Sequence, residues 1–258
     1  MKERFKKSRN FRQVKTKKYH PTSLDNNKGA FPLTKPQIKH VCLVAGASGR
    51  TPERDEALLL CSITMGLRVS EIACLEVRHI IGEDGKYLLE GWLPGEFSKS
   101  GRSAAIFPSN KKFQKALDKY IEYRLNKRHM ISGDLSKYRG LNPESKVFLT
   151  ETGRKFAMTT KRRKSSKGKP LEYKACDTLE RAFKRLYKKA FGDDTQFSSH
   201  SGRKVFSNNI SDLVESKAHD QSSYQDVVNL MRSHNIESIQ PYLVPSKKEI
   251  QDIAKNIY

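Results

Sequence analysis

The run Ala57-Leu58-Leu59-Leu60-Cys61, inside a segment from Arg54 to Met65 that ends at Gly66, is the strongest single constraint on the fold. A helix this apolar on every side has no face to give to water and must be surrounded by other elements. The segment is therefore expected as a central buried helix, with Gly66 stopping it. Ser70 would then cap a following helix from Glu71 to about Val77, which leaves Arg68 in a tight junction between two helices.

The elements around it read as mainly helical. Thr34 is a plausible N-cap for a helix bearing Ile38, Val41, Cys42 and Ala45 at helical spacing, so folded structure should begin at residue 33. Lys112 to Asn126 and Asp177 to Phe191 carry apolar stripes of helical period (Phe113, Leu117, Tyr120, Ile121; Leu179, Ala182, Phe183, Leu186, Tyr187, Ala190). Between them, the Asp84-Gly85 turn signal, a strand pattern over Lys86 to Leu93 and another over Ser103 to Phe107 predict a small antiparallel sheet. Lys99 would sit at its tip. Lys146 to Leu149 reads as a further short strand, and Lys161 to Lys169, with six basic residues in nine, as a solvated loop. The class is α+β, one mainly helical domain with a small antiparallel sheet.

Lys and Arg number 50 against 28 Asp and Glu, a formal charge of +22. Nine of the basic residues fall between Lys2 and Lys18, beside the single acid Glu3, so residues 1–32 read as a flexible basic arm. Such a balance points to a polyanionic partner, because Lys and Arg displace counterions condensed on a phosphate backbone. An RNA-coating protein satisfies the charge equally well, but the aromatic stacking motifs it would need are missing. Cys42, Cys61, Cys74 and Cys176 lack the paired spacing of zinc or redox motifs. No stretch approaches the roughly 20 apolar residues of a membrane span, and no apolar run follows the charged start, so a cytoplasmic, nucleoid-associated protein is expected.

Phosphodiester exchange without a metal needs a nucleophile, cations that hold the nonbridging oxygens, and a proton donor for the departing oxygen. Arginine suits the second task, since its fork grips two oxygens and keeps its charge. The segment Thr64-Met65-Gly66-Leu67-Arg68-Val69-Ser70-Glu71-Ile72 resembles the first arginine box of the tyrosine recombinases, the phage integrase family. It is preceded by Arg54-Asp55-x-Ala57-Leu58-Leu59-Leu60 and followed by the hairpin lysine. Ser199-His200-Ser201-Gly202-Arg203 matches that family's His-x-x-Arg box, and Tyr242 lies where its nucleophile stands.

The resemblance, from about Leu33 to Tyr242, implies roles for these residues. Arg68 and Arg203 would clamp the scissile phosphate and His200 would add a hydrogen bond. Lys99 would protonate the leaving 5′ oxygen, which its neighbour Arg102 cannot do because guanidinium does not give up a proton. Glu71 would orient Arg68 from behind, or else be an ordinary helix-surface carboxylate. Tyr242 would form a 3′-phosphotyrosyl bond that conserves the energy for religation, so neither ATP nor a metal cofactor is required. Lys161, Arg162, Arg163 and Lys164 would touch DNA phosphates.

Three departures from the family pattern stand out. The last phosphate-contacting position falls on His234 when read forward through Leu230-Met231, but on Ser233 when counted back from Tyr242. The stretch between Arg203 and His234 is long, with Ser216 to Tyr224 as its polar insertion. Most members also place a helical core-binding domain before the catalytic one, where this chain has the basic arm. The partners implied are double-stranded DNA, further copies of the chain in a tetramer on two DNA sites, and a host recombinase or an accessory DNA-bending protein. Residues 243–258, with Ile250, Ile253, Ala254 and Ile257 at helical spacing, would form a tail helix packing on a neighbouring protomer or back on its own domain. A catalytically silent DNA-binding factor of the same fold is the rival expectation.

Overall fold

The computed structural model describes residues 30–97, 101, 103–164, 170–215 and 254–257. Within them the chain forms six α-helices and two antiparallel hairpins. Helix α1 (Lys35–Ala47) begins as expected at Thr34, whose N–H donates to Gln37 Oε1 at 2.8 Å. Helix α2 (Pro52–Met65) is the buried centre: everything from Ala57 to Met65 is enclosed. It packs against α1, against α4 (Lys111–Asn126) and against α6 (Ser201–Glu215), while α5 (Asp177–Phe191) lies on α1. His40 Nε2 and the Ala190 carbonyl, 2.9 Å apart, join α1 to the end of α5.

Gly66 terminates α2 in the left-handed region, with φ of 61°. Leu67 is fully buried, and α3 (Val69–Cys74) follows at once. The N-cap of α3 is Arg68 and not Ser70, because Glu71 reaches back and accepts the Arg68 N–H at 2.6 Å, which fixes the helix start two residues earlier. The helix also ends before Val77, in a 3-10 turn Val77–His79.

The expected strand from Lys86 to Leu93 is divided. Its first half closes a turn, with Gly82 N donating to Lys86 O and Leu88 N to Ile80 O, and only β1 (Gly91–Leu93) pairs with β2 (Ala104–Ile106). Lys146 to Leu149 is likewise not a strand. It is pinned through single bridges, Glu76 to Lys146 and Leu149 to Lys155, and by Val147 N donating to Leu75 O at 2.7 Å.

The basic run is corrected as well. Lys161 to Lys164 belong to strand β3 (Thr159–Lys164), paired in register with β4 (Pro170–Ala175); residues 165–169 lie outside the described residues. The run looks like a loop because the β3 sequence Thr-Thr-Lys-Arg-Arg-Lys carries no apolar alternation.

The described end of the tail, residues 254–257, folds back on its own domain. Ala254 and Ile257 are buried in the common core, and Asn110 Nδ2 donates to the Lys255 and Ile257 carbonyls, each at 3.0 Å. The same Asn110 caps α4, its Oδ1 accepting from Lys112 N and Phe113 N at 3.0 Å. All four cysteines are buried and free. No helix among the described residues is long and apolar enough to cross a membrane.

Candidate active site

Two of the predicted arginines meet at the C-terminal end of α2. Arg68 occupies the extended N-cap position of α3 (φ −73°, ψ 156°), and its side chain keeps part of its surface exposed. Its Nη1 donates to Glu71 Oε1 at 2.9 Å while its own N–H donates to Glu71 Oε2. Glu71 is fully buried, so it is not a surface carboxylate. A buried charge of this kind is tolerated because both oxygens are satisfied by the residue it orients.

Arg203 arrives from the first turn of α6, and its Nη1 donates to the Gly66 carbonyl at 2.5 Å, two residues before Arg68. That approach depends on small residues at the contact. A Cβ on Gly202 would lie 2.5 Å from Ser62 Oγ, and one on Gly66 would overlap the ring of Phe206. Glycine at both places lets α6 press directly against α2. Ser198 and Ser201 cap this helix start reciprocally, Ser198 N donating to Ser201 Oγ and Ser201 N to Ser198 O, both at 2.9 Å. His200 is therefore held just ahead of the helix, its N–H donating to Ser198 Oγ at 3.3 Å.

His200 is exposed, yet its pKa falls below the usual imidazole value. Surrounding protein disfavours the charged ring, Arg203 adds to this, Glu180 opposes it, and Arg68 and Lys204 lower it again. Arg68 and Arg203 thus both act on this imidazole. Arg68 and Arg203, drawn from two distant stretches of chain, are joined at the Gly66 turn, and His200 stands at the N-terminal end of the helix that brings Arg203. The N-terminal end of a helix carries positive dipole character, which favours an anion. The motifs do not include Glu180 of α5, whose charge acts on the His200 ring.

Lys99, His234 and Tyr242 lie outside the described residues, as do Ser233, Arg102 and residues 1–29 of the arm. The last described residues before Lys99 form a 3-10 turn, Gly95–Phe97, packed against α3 directly after Arg68. Of the basic quartet, Lys161 Nζ pairs with Asp177 at 2.6 Å and Arg162 Nε with Glu172 at 2.5 Å across the hairpin, while Arg163 and Lys164 stand in register opposite Leu171 and Pro170. No group of three or more His, Cys, Asp or Glu among the described residues is placed to hold a metal ion.

The profile of the phage integrase family matches residues 33–248. The chain belongs to the phage integrase family. Its fold is that of the tyrosine recombinases: XerA recombinase superposes with a TM-score of 0.52 at 16% identity, over 87% of this chain and 64% of that one. The Tn1549 transposon integrase, in complex with a circular intermediate DNA, superposes with a TM-score of 0.50 at 15% identity, over 88% of this chain and 66% of that one. This phage integrase family chain thus spans less than two thirds of the length of each of these solved relatives. No curated protein sequence matches it. Within the family's matched span fall both arginine boxes, Lys99, His234 and Tyr242.

Proposed function

We propose that this integrase-family chain cuts and rejoins double-stranded DNA at specific sites through a 3′-phosphotyrosyl bond to Tyr242. The observation that carries the reading is that Arg203 is bonded to the Gly66 carbonyl, two residues before Arg68, and that both arginines act on the His200 ring. Two guanidinium groups and an imidazole at a helix N-terminus suit a phosphodiester whose negative charge rises as a fifth oxygen approaches. Arginine keeps its proton throughout, so this stabilisation does not change with pH in the working range.

In this reading the Tyr242 hydroxyl loses its proton to solvent as its oxygen attacks phosphorus, the bond from phosphorus to the 5′ oxygen breaks, and Lys99 gives that oxygen a proton, which it regains from solvent. A free 5′ hydroxyl of another strand then reverses the step. His234 supplies the remaining hydrogen bond to the phosphate, with Ser233 as the alternative. Glu71 holds Arg68 in place. Lys161, Arg162, Arg163 and Lys164, with the basic arm, take flanking phosphates. The ion pairs of Lys161 and Arg162 are exposed and weak, so exchanging a carboxylate for a phosphate there costs little. DNA as the partner agrees with the DNA complex of the structurally similar Tn1549 integrase. A tetramer spanning two sites completes the reaction, with a host recombinase or DNA-bending protein as a further partner.

The rival reading is a DNA-binding member of the fold that does not cut. The offset of His234 from the family register favours it. A pool of random-sequence duplexes, each nicked so that cleavage releases a short fragment and traps the adduct, separates the two. The proposal predicts a covalent complex on a selected subset of the pool, and none with Tyr242→Phe. Sequence-selective binding with no covalent complex supports the rival.

A further inference from the structure

We propose that Lys146 is a positioning residue for the hairpin that carries Lys99, acting through the ring of Phe97. The inference rests on the reading of Lys99 as the proton donor. Phe97 closes the turn Gly95–Phe97, and Lys99 follows two residues later, so at most about 7 Å of chain separates their Cα atoms. Whatever fixes Phe97 therefore limits where Lys99 can reach.

Lys146 Nζ lies 4.9 Å from the centroid of the Phe97 ring, and the same ammonium donates to Glu76 Oε1 at 2.8 Å. Glu76 is itself buried and held, its Oε2 accepting from Arg78 Nε at 2.8 Å. The Glu76 N–H donates to Nδ1 of His79 at 3.1 Å, and the His79 ring is tilted against Phe97 with centroids 6.2 Å apart. The main chain of Lys146 is fixed as well, because the buried Arg124 donates from Nη1 to its carbonyl at 3.2 Å. Phe97 is thus gripped by a cation and an imidazole that share one carboxylate-bearing turn.

A lysine with a free surface role would not be enclosed in this way; the Lys146 side chain is 19% exposed. A cation over a ring attracts more strongly as water is removed. Phe97 also borders a cavity of about 410 Å³ lined by Ser70, Cys74, Met158 and Tyr173. Beside that space, the Lys146 ammonium and the His79 ring add to the packing of Phe97 on the core in restraining the turn. At the base, Gly95 N donates to Ser103 Oγ at 2.9 Å, which keeps the two hairpin arms together without fixing their direction.

Two measurements test the proposal. The first uses no DNA: in Lys146→Met, amide hydrogen exchange of residues 95–97 should quicken while α2 stays protected, and Lys146→Arg should restore slow exchange. Unchanged exchange at 95–97 would overturn the mooring whatever the enzyme does to DNA. The second uses a duplex captured in the nicked pool, prepared with the ordinary 5′ oxygen or with sulfur at that bridging position, since a thiolate leaves without needing a proton. Lys146→Met should cut the ordinary duplex about 10- to 100-fold more slowly, yet cut the sulfur duplex within about threefold of the parent rate. Lys99→Ala, run in parallel, should show the same rescue. If Lys99→Ala is rescued and Lys146→Met is slowed equally on both duplexes, the positioning role is wrong and the Lys99 reading stands. If Lys99→Ala is not rescued, the reading beneath the inference fails instead.

Discussion

Arg203 Nη1 donates to the carbonyl of Gly66 at 2.5 Å, although 137 positions separate them in sequence. The bond crosses from the first turn of α6 to the stop of α2 and sets the spacing between the two arginine boxes. Gly66 has a positive φ, and a Cβ there would enter the Phe206 ring. Gly66→Ala should therefore lower stability by about 2–4 kcal/mol, the left-handed strain and the overpacking adding together. Urea unfolding measures this. Gly66→Ala combined with Phe206→Leu should recover part of the loss, and a single variant as stable as the parent would show that the junction tolerates a side chain.

Glu71 carries the second relationship that the site needs. Removing a buried carboxylate that holds an arginine costs about 3 kcal/mol, at the lower end of the range because the Arg68 side chain keeps some contact with water. Glu71→Ala should show that loss in a thermal melt. Glu71→Gln, which preserves shape and an acceptor, should fold better yet form covalent complex more slowly than the parent. Equal activity of Glu71→Gln and the parent would leave Glu71 as a packing residue.

Much of this was legible in the sequence because its signals are local. The all-round apolar run of α2, the stop at Gly66 and the two arginine boxes each state their structure within a few neighbouring residues. Arg68 as N-cap was not legible, since arginine is a poor capping residue and only the reach of the buried Glu71 makes it one. Strand β3 was hidden because Arg162 is balanced across the hairpin by Glu172, a pairing that depends on register. Arg124 shares the apolar stripe of α4, yet nothing local shows where its charge goes: it is buried on carbonyls of His129, Lys146 and Val147, and burial lowers its pKa to about 10.

Tyr187 is fully buried in the core between α1 and α5, and its hydroxyl has no hydrogen-bond partner among the described residues. Burial drives its pKa well above the usual phenol value, with Cys42 adding to the shift. An unsatisfied buried hydroxyl is a cost that phenylalanine avoids while keeping the ring. Tyr187→Phe should be as stable as the parent or more stable by up to about 1 kcal/mol. A loss above that size in urea titration would mean that the hydroxyl does have a partner.

Acid sensitivity follows from His79. Burial lowers its pKa below 6.5, Glu76 opposes this, and Arg78 and Lys146 lower it further. The unfolded chain then takes up a proton that the folded protein refuses. Stability from this group is complete above about pH 6.5 and falls as the pH drops towards the depressed folded value. Urea unfolding between pH 8 and pH 5.5 should record the decline, and His79→Gln should make it shallower. An identical slope in the variant would place the sensitivity elsewhere.

The central claim is that Tyr242 becomes covalently joined to DNA. Protease digestion of the trapped complex, followed by mass spectrometry of the nucleotide-bearing peptide, reads the attachment site directly. A 3′-phosphonucleotide on Tyr242 is the predicted result; the adduct on Tyr224, or on any residue other than Tyr242, would contradict the account.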